Sequence, residues 1–182
     1  MPAPISAIIV NYNAGTFLTN CVLATLNQVQ QIIVVDNASC DSSLLELEAR
    51  FPNEKHLQII RLNSNTGFAA GCNTGLSAST QPYILFLNPD GILGENSLHR
   101  MMEVMESDAS IGMVGGYLTN PDGTEQGGGR RSIPTPWRAF VRAFGLHHLA
   151  KFWPKLFFDF HLNKQPLPNK PTPASNYSEQ VQ

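Results

Sequence analysis

Four short polar clusters hold the residues of this chain that could do chemistry. They are Asn11-Tyr12-Asn13, Asp36-Asn37-Ala38-Ser39, Asn63-Ser64-Asn65-Thr66-Gly67-Phe68 and Asn88-Pro89-Asp90. Each follows an apolar run of strand type. The last follows Tyr83-Ile84-Leu85-Phe86-Leu87, which suits a strand covered on both faces. Pro89 ends that strand, because proline has no N–H to give to a ladder. If the strands are parallel, all four ends lie on one edge, where open α/β sheets bind ligands. There Asp36 can accept from a base or a ribose hydroxyl, and Tyr12 can pack on a base. Asp90, past the end of a central strand, can reach a diphosphate through Mg²⁺ or Mn²⁺. Asn, Asp, Ser and Gly are also ordinary turn and cap residues, so any one cluster alone reads first as a turn. Only the four together favour a nucleotide site, and their spacing names no reaction.

The elements that must position these clusters alternate in type. Strands are expected at Ile5–Val10, Ile32–Val35, Leu57–Leu62, Tyr83–Leu87 and Ile111–Gly115. Helices are expected near 15–28, 42–51, 68–79 and 97–107. Leu18, Cys21, Val22, Leu26 and Val29 fall at helical spacing in the first, and Asp41 or Ser42 caps the second. Strands separated by helices of this length imply an α/β fold with a mostly parallel sheet and right-handed crossovers. Gly67, Gly71 and Gly75 recur every fourth residue and form one smooth helix face, read as close packing on the sheet ahead of ligand approach. No G-x-G-x-x-G follows the first strand, and no G-x-x-x-x-G-K-[ST] occurs.

In composition, 42% of the 182 residues are hydrophobic, which indicates a globular protein, and 14% are charged, low for a free monomer and a hint of a covered surface or a missing remainder. A net charge of −2 makes no case for nucleic acid. Cys21, Cys40 and Cys72 lack metal-ligand spacing and favour a reducing compartment. No signal-like or spanning apolar run is present. The expectation is a cytosolic protein, with peripheral contact at the inner face of the membrane as the alternative.

The ordered stretches Ile8-Ile9-Val10-Asn11-Tyr12-Asn13, Val34-Val35-Asp36-Asn37-Ala38-Ser39-Cys40-Asp41, Asn65-Thr66-Gly67-Phe68-Ala69-Ala70-Gly71 and Leu87-Asn88-Pro89-Asp90 resemble the motifs of family 2 glycosyltransferases. The likeness is to the rhamnosyltransferase-like branch and covers about residues 5–125. Asn120-Pro121-Asp122-Gly123 and Arg130-Arg131 also resemble later features of that branch. The resemblance implies a GT-A fold, a three-layer sandwich with a Rossmann-like nucleotide-binding half, and a nucleotide-diphosphate-sugar donor of dTDP-rhamnose or UDP-sugar type. It implies that Val10 and Tyr12 border the base, that Asn11 belongs to the donor site, and that Asp36 contacts base or ribose. Asn65 and Gly67 line the donor pocket, and Asn88 and Asp90 stand where many relatives carry Asp-x-Asp. With an amide in the first of those places, Asp90 is left as the metal ligand. Mg²⁺ or Mn²⁺ binding is then weak and donor-assisted.

Family 2 enzymes invert the anomeric centre with an acidic base that follows a Gly-Phe-Asp stretch, and this chain has no such motif. Beyond Glu125 the acids are Asp159 and Glu179. The expectation is a donor-binding half (domain 1–125, with 126–182 as an aromatic, basic and then Pro-rich remainder) that is truncated and turns over poorly or not at all. No catalytic residue is assigned. Trp137, Phe140, Val141 and Phe144 form a helical stripe near Arg138, Arg142, Lys151 and Lys155, followed by Phe152, Trp153, Phe157 and Phe158. This stripe could meet a membrane surface that carries a lipid-linked or saccharide acceptor. Packing against further chain or a second copy is the favoured reading. A non-catalytic binding or assembly module is the competing function. A sugar nucleotidyltransferase lacks its Gly-rich, Arg- and Lys-bearing loop.

Overall fold

The computed structural model describes residues 1–127, 135–146, 148 and 153. Two compact units divide the chain, Met1–Glu106 and Ser107–Gln182. The first unit runs β1 (Ala3–Asn11), α1 (Thr16–Thr25), β2 (Val29–Asp36), α2 (Ser43–Arg50), β3 (Leu57–Arg61), α3 (Phe68–Ser77), β4 (Tyr83–Leu87) and α4 (Ser97–Ser107, ending one residue beyond it). The four strands form an all-parallel sheet in the order β3-β2-β1-β4.

This order follows from the handedness of crossovers. From β1 to β2 to β3 the chain moves one way, so right-handed connections put α1 and α2 on the same face. From β3 to β4 it reverses past β1, and α3 falls on the opposite face. The residues record this division by parity. Ile5, Ala7 and Ile9 of β1 and Ile32 and Val34 of β2 pack with Leu18, Cys21 and Val22 of α1, Leu47 of α2 and Leu98 of α4. Their neighbours Ile8, Ile33 and Val35 form the second core, with Ile60, Leu62, Ala78 and Ile84. Apolar residues at consecutive positions are what a sheet covered on both faces requires. Full burial of each Leu or Ile contributes about 1.5–3 kcal/mol.

Close packing explains the glycine face of α3. A Cβ on Gly71 would lie 2.7 Å from Val10 Cγ1, and one on Gly75 would lie 2.4 Å from Ile8 Cγ2. Gly67 meets no such neighbour and instead starts α3 with φ +87°.

Two expectations are corrected. Tyr83–Leu87 is an edge strand of the described sheet, not a central one covered on both faces. Phe86 is 52% exposed, because α3 lies over β1 and β2 and not over β4. Ile111–Gly115 forms no strand. Two of its five residues are glycine, which weakens strand structure, and no described strand pairs with it.

In the second unit, Thr119 and Glu125 form an antiparallel bridge around a turn in which Gly123 adopts φ +83°. Helix α5 (Pro136–Ala143) opens on proline, whose missing N–H costs nothing at that position. Along it Trp137 stacks on Phe140 at 5.6 Å, and Phe140 meets Phe144 at 4.5 Å. The expected helical stripe is therefore present, with Val141 buried and the three rings at least 45% exposed. Arg130, Arg131, Lys151, Phe152, Lys155, Phe157, Phe158, Asp159, Glu179 and the Pro-rich tail lie outside the described residues, as do the side chains of Arg138 and Arg142. Among the described residues no helix is long and apolar enough to cross a membrane.

Candidate functional site

The reversal of strand order makes the carboxyl ends of β1 and β4 a topological switch point, the usual ligand position in an open α/β sheet. The β1–α1 loop, with Asn11, Tyr12 and Asn13, and the Asn88-Pro89-Asp90 corner flank it. The β2–α2 loop extends the same edge, since Asn11 pairs in register with Asp36. The β3–α3 connection follows, with Asp36 opposite Arg61.

Hydrogen bonds knit the first two loops together. Asn11 is fully buried. Its Nδ2 lies 2.8 Å from Asp36 Oδ1, 3.0 Å from Ser39 Oγ and 2.9 Å from Ser43 Oγ. Ser39 Oγ donates to Asp36 Oδ1 at 2.6 Å, and the Ser39 N–H reaches Asp36 Oδ2 at 3.2 Å. Asn13 Oδ1 accepts from the N–H of Cys40 at 2.8 Å and of Asp41 at 3.3 Å. Asp41 Oδ2 accepts from the Gly15 N–H at 2.8 Å. Asn13 at φ +53° and Ala38 at φ +61° hold left-handed backbone, a strain that the surrounding bonds over-determine. The third loop is tied in by Asn37, whose Oδ1 accepts from the Thr66 N–H at 2.9 Å. Asn65 Oδ1 accepts from the Gly67 N–H at 2.9 Å and closes an Asx turn just before α3.

The sequence-assigned residues thus separate into two groups. Tyr12, 52% exposed, and the exposed Asn65, Gly67, Asn88 and Asp90 present surface at this edge. Asn11 and Val10 do not. Asn11 faces inward to Asp36, Ser39 and Ser43, and Val10 is 6% exposed beneath α3. Asp36, 5% exposed, is bound from behind through Oδ1. Ser39, Asp41 and Ser43 carry much of this network, although from the sequence Asp41 has a task only as a candidate helix cap and none of the three has an assigned site role. Their partners lie up to 32 positions away, and no local pattern signals such pairs.

Among the described residues no three His, Cys, Asp or Glu side chains gather to hold a metal ion. One exposed carboxylate, Asp90, beside the exposed amide of Asn88 supplies hard oxygens. That set fits Mg²⁺ or Mn²⁺ only where a diphosphate supplies further oxygens.

The Ser43 hydroxyl, aided by the N–H groups of Gly15 and Ser43, holds the Asp41 carboxyl below its ordinary range. A depressed folded pKa contributes stability above the unfolded value of about 4, which is lost as pH falls through the folded value. Asp41→Asn should therefore flatten the acid limb of stability, as read by urea unfolding from pH 5 down to pH 2. A limb as steep as wild type would show that Asp41 is not its source. Burial, and secondarily the negative charge of Asp90, push the Cys21 thiol up to about 12. Cys40 is exposed. A maleimide at pH 8 should label Cys40 in the native protein and reach Cys21 only at the rate of unfolding. Prompt labelling of Cys21 would mean that α1 does not seal against β4.

Three comparisons extend these observations. The family model described as Glycosyl transferase family 2 matches residues 6–169. Glycosyltransferase GlyG of Streptococcus pneumoniae is 31% identical over 117 residues, covering 62% of this chain and 38% of that protein. The putative teichuronic acid biosynthesis glycosyltransferase TuaG of Bacillus subtilis is 27% identical over 124 residues, covering 66% of this chain and 49% of that protein. The chain thus spans less than half the length of either relative. In fold it is similar to S. aureus TarS 1-349 in complex with UDP-GlcNAc, with a TM-score of 0.52 and 18% identity, over 72% of this chain and 40% of that one.

Proposed function

The chain belongs to glycosyl transferase family 2, and on that premise we propose that its first unit is the donor-binding part of an enzyme extending a cell-surface polysaccharide. The donor is a sugar carried on a nucleoside diphosphate of UDP or dTDP type, with the rhamnosyltransferase-like branch as the finer assignment. One observation carries this reading. Four polar strand ends, far apart in sequence, lie along one edge around the β1/β4 switch point. The name of TuaG and the UDP-GlcNAc bound to TarS support it from outside the chain.

Each residue then has a physical task. The half-exposed ring of Tyr12 offers a face for a base, and Asp36 offers acceptor capacity to a base or ribose. Asn65 and Gly67 form the opposite wall. Asn88 and Asp90 face the diphosphate. Mg²⁺ or Mn²⁺ bound there would neutralise charge developing on the departing diphosphate. In an inverting displacement, an acceptor hydroxyl forms its bond to the anomeric carbon as the bond to the diphosphate oxygen breaks, and the hydroxyl proton passes to an acidic base. We assign no base among the described residues.

Calorimetry of the 182-residue protein with UDP, dTDP and GDP, with and without Mn²⁺, tests the reading. At least one of the three should bind. Folded protein that binds none of them overturns it. The aromatic ladder of α5, with Trp137, Phe140 and Phe144 at 48%, 45% and 67% exposure, favours a second reading as an assembly module. Monodisperse monomer in light scattering, without lipid affinity, would remove that reading.

A further inference from the structure

We propose that Asn11 and Ser39 are positioning residues, which fix Asp36 through Oδ1 and so leave Oδ2 as its acceptor for the nucleotide. This inference rests on the donor-binding reading above. Asn11 is fully buried and so offers no surface of its own to a nucleotide. Its amide orientation is dictated by its neighbours. Ser39 Oγ gives its single proton to Asp36 Oδ1 at 2.6 Å, and Ser43 Oγ gives its own to Asp41 Oδ1 at 2.5 Å. Both hydroxyls, and Asp36 Oδ1 itself, therefore present lone pairs to the Asn11 side chain, which suits an NH₂ group sharing its two protons among the three and not a carbonyl. A flipped amide would set its carbonyl against three acceptors.

The arrangement is one-sided. Among the described residues Asp36 Oδ1 accepts from both Asn11 Nδ2 and Ser39 Oγ, whereas Oδ2 accepts only the longer 3.2 Å bond from the Ser39 N–H. Among the described residues Asn11 Oδ1 has no hydrogen-bond partner, so the bonds of this buried side chain all run through the NH₂ that faces Asp36, Ser39 and Ser43. The strained Ala38, at φ +61°, sits in the turn that brings Ser39 back onto the carboxylate.

A double-mutant cycle on UDP and dTDP affinity tests the proposal. Asn11→Ala and Ser39→Ala should each weaken binding about tenfold when Asp36 is present. In an Asp36→Asn background each should change it less than twofold, because both act through that carboxylate. Ser39→Thr, which keeps the hydroxyl, should restore wild-type affinity. Thermal unfolding verifies that each variant folds, and the Ser39 arm carries the cycle if Asn11→Ala does not. Equal losses in both backgrounds, or no loss in either, would overturn the assignment while nucleotide binding by the wild type stands. Folded wild type that binds neither nucleotide removes the donor-binding reading itself.

Discussion

Gly75→Ala should lower stability by about 3 kcal/mol, at the upper end of what overpacking costs. The added Cβ would stand 2.4 Å from Ile8 Cγ2 and 3.3 Å from both Ile8 Cγ1 and Val35 Cγ2. Ile8 and Val35 are β-branched and buried in the middle of the sheet, so neither has a free rotamer into which to retreat. Helix α3 must lift. Gly67→Ala provides the contrast. Its Cβ would meet nothing within 4 Å, but φ +87° with ψ 164° is a backbone conformation that essentially only glycine adopts, so its cost is backbone strain of about 1–3 kcal/mol. Urea unfolding of both variants measures the difference. A Gly75→Ala protein as stable as wild type would mean that α3 does not lie against β1.

The second large effect concerns the diphosphate. Asp90→Asn should weaken UDP or dTDP binding in Mn²⁺ by about 100-fold, to the level that wild type shows in EDTA. Without metal, the two proteins should bind alike. Asp90 is exposed at the turn closed by the Gly91 N–H on Asn88 O at 3.0 Å, so the variant should unfold at the same denaturant concentration as wild type. With a single carboxylate, the affinity for metal alone should be weak and the dependence on diphosphate steep. Wild-type affinity that ignores Mn²⁺ would take Asp90 out of this role.

The architecture was legible because burial on both faces of the sheet writes itself into Ile8-Ile9-Val10 and Ile32-Ile33-Val34-Val35 as continuous apolar runs. The glycine spacing of α3 was legible as packing for the same reason. Two things were not. Tyr83–Leu87 has the same apolar run as a covered strand, and only the paths of α3 and of the neighbouring strands show that Phe86 is half open. Asn11 stands at a strand end, where ligand-contacting residues are common. Its inward orientation depends on Asp36, Ser39 and Ser43, which are 25 to 32 positions away. Hydrogen bonds of that range leave no periodic trace in a single sequence.

The strand order also bears on how the site is made during synthesis. Asn11 pairs with Asp36, but Ile5 pairs with Tyr83, 78 positions later (83 − 5). The edge that carries Asn11 and Asp36 can therefore close while β4 is still within the ribosome. The Asn88-Pro89-Asp90 corner is added afterwards, through the longest and slowest loop closure in the sheet. Until then β1 offers an open parallel edge, and an emerging chain is vulnerable to wrong pairing there. Half of the proposed donor cradle can thus form before the residue proposed to bind metal has emerged.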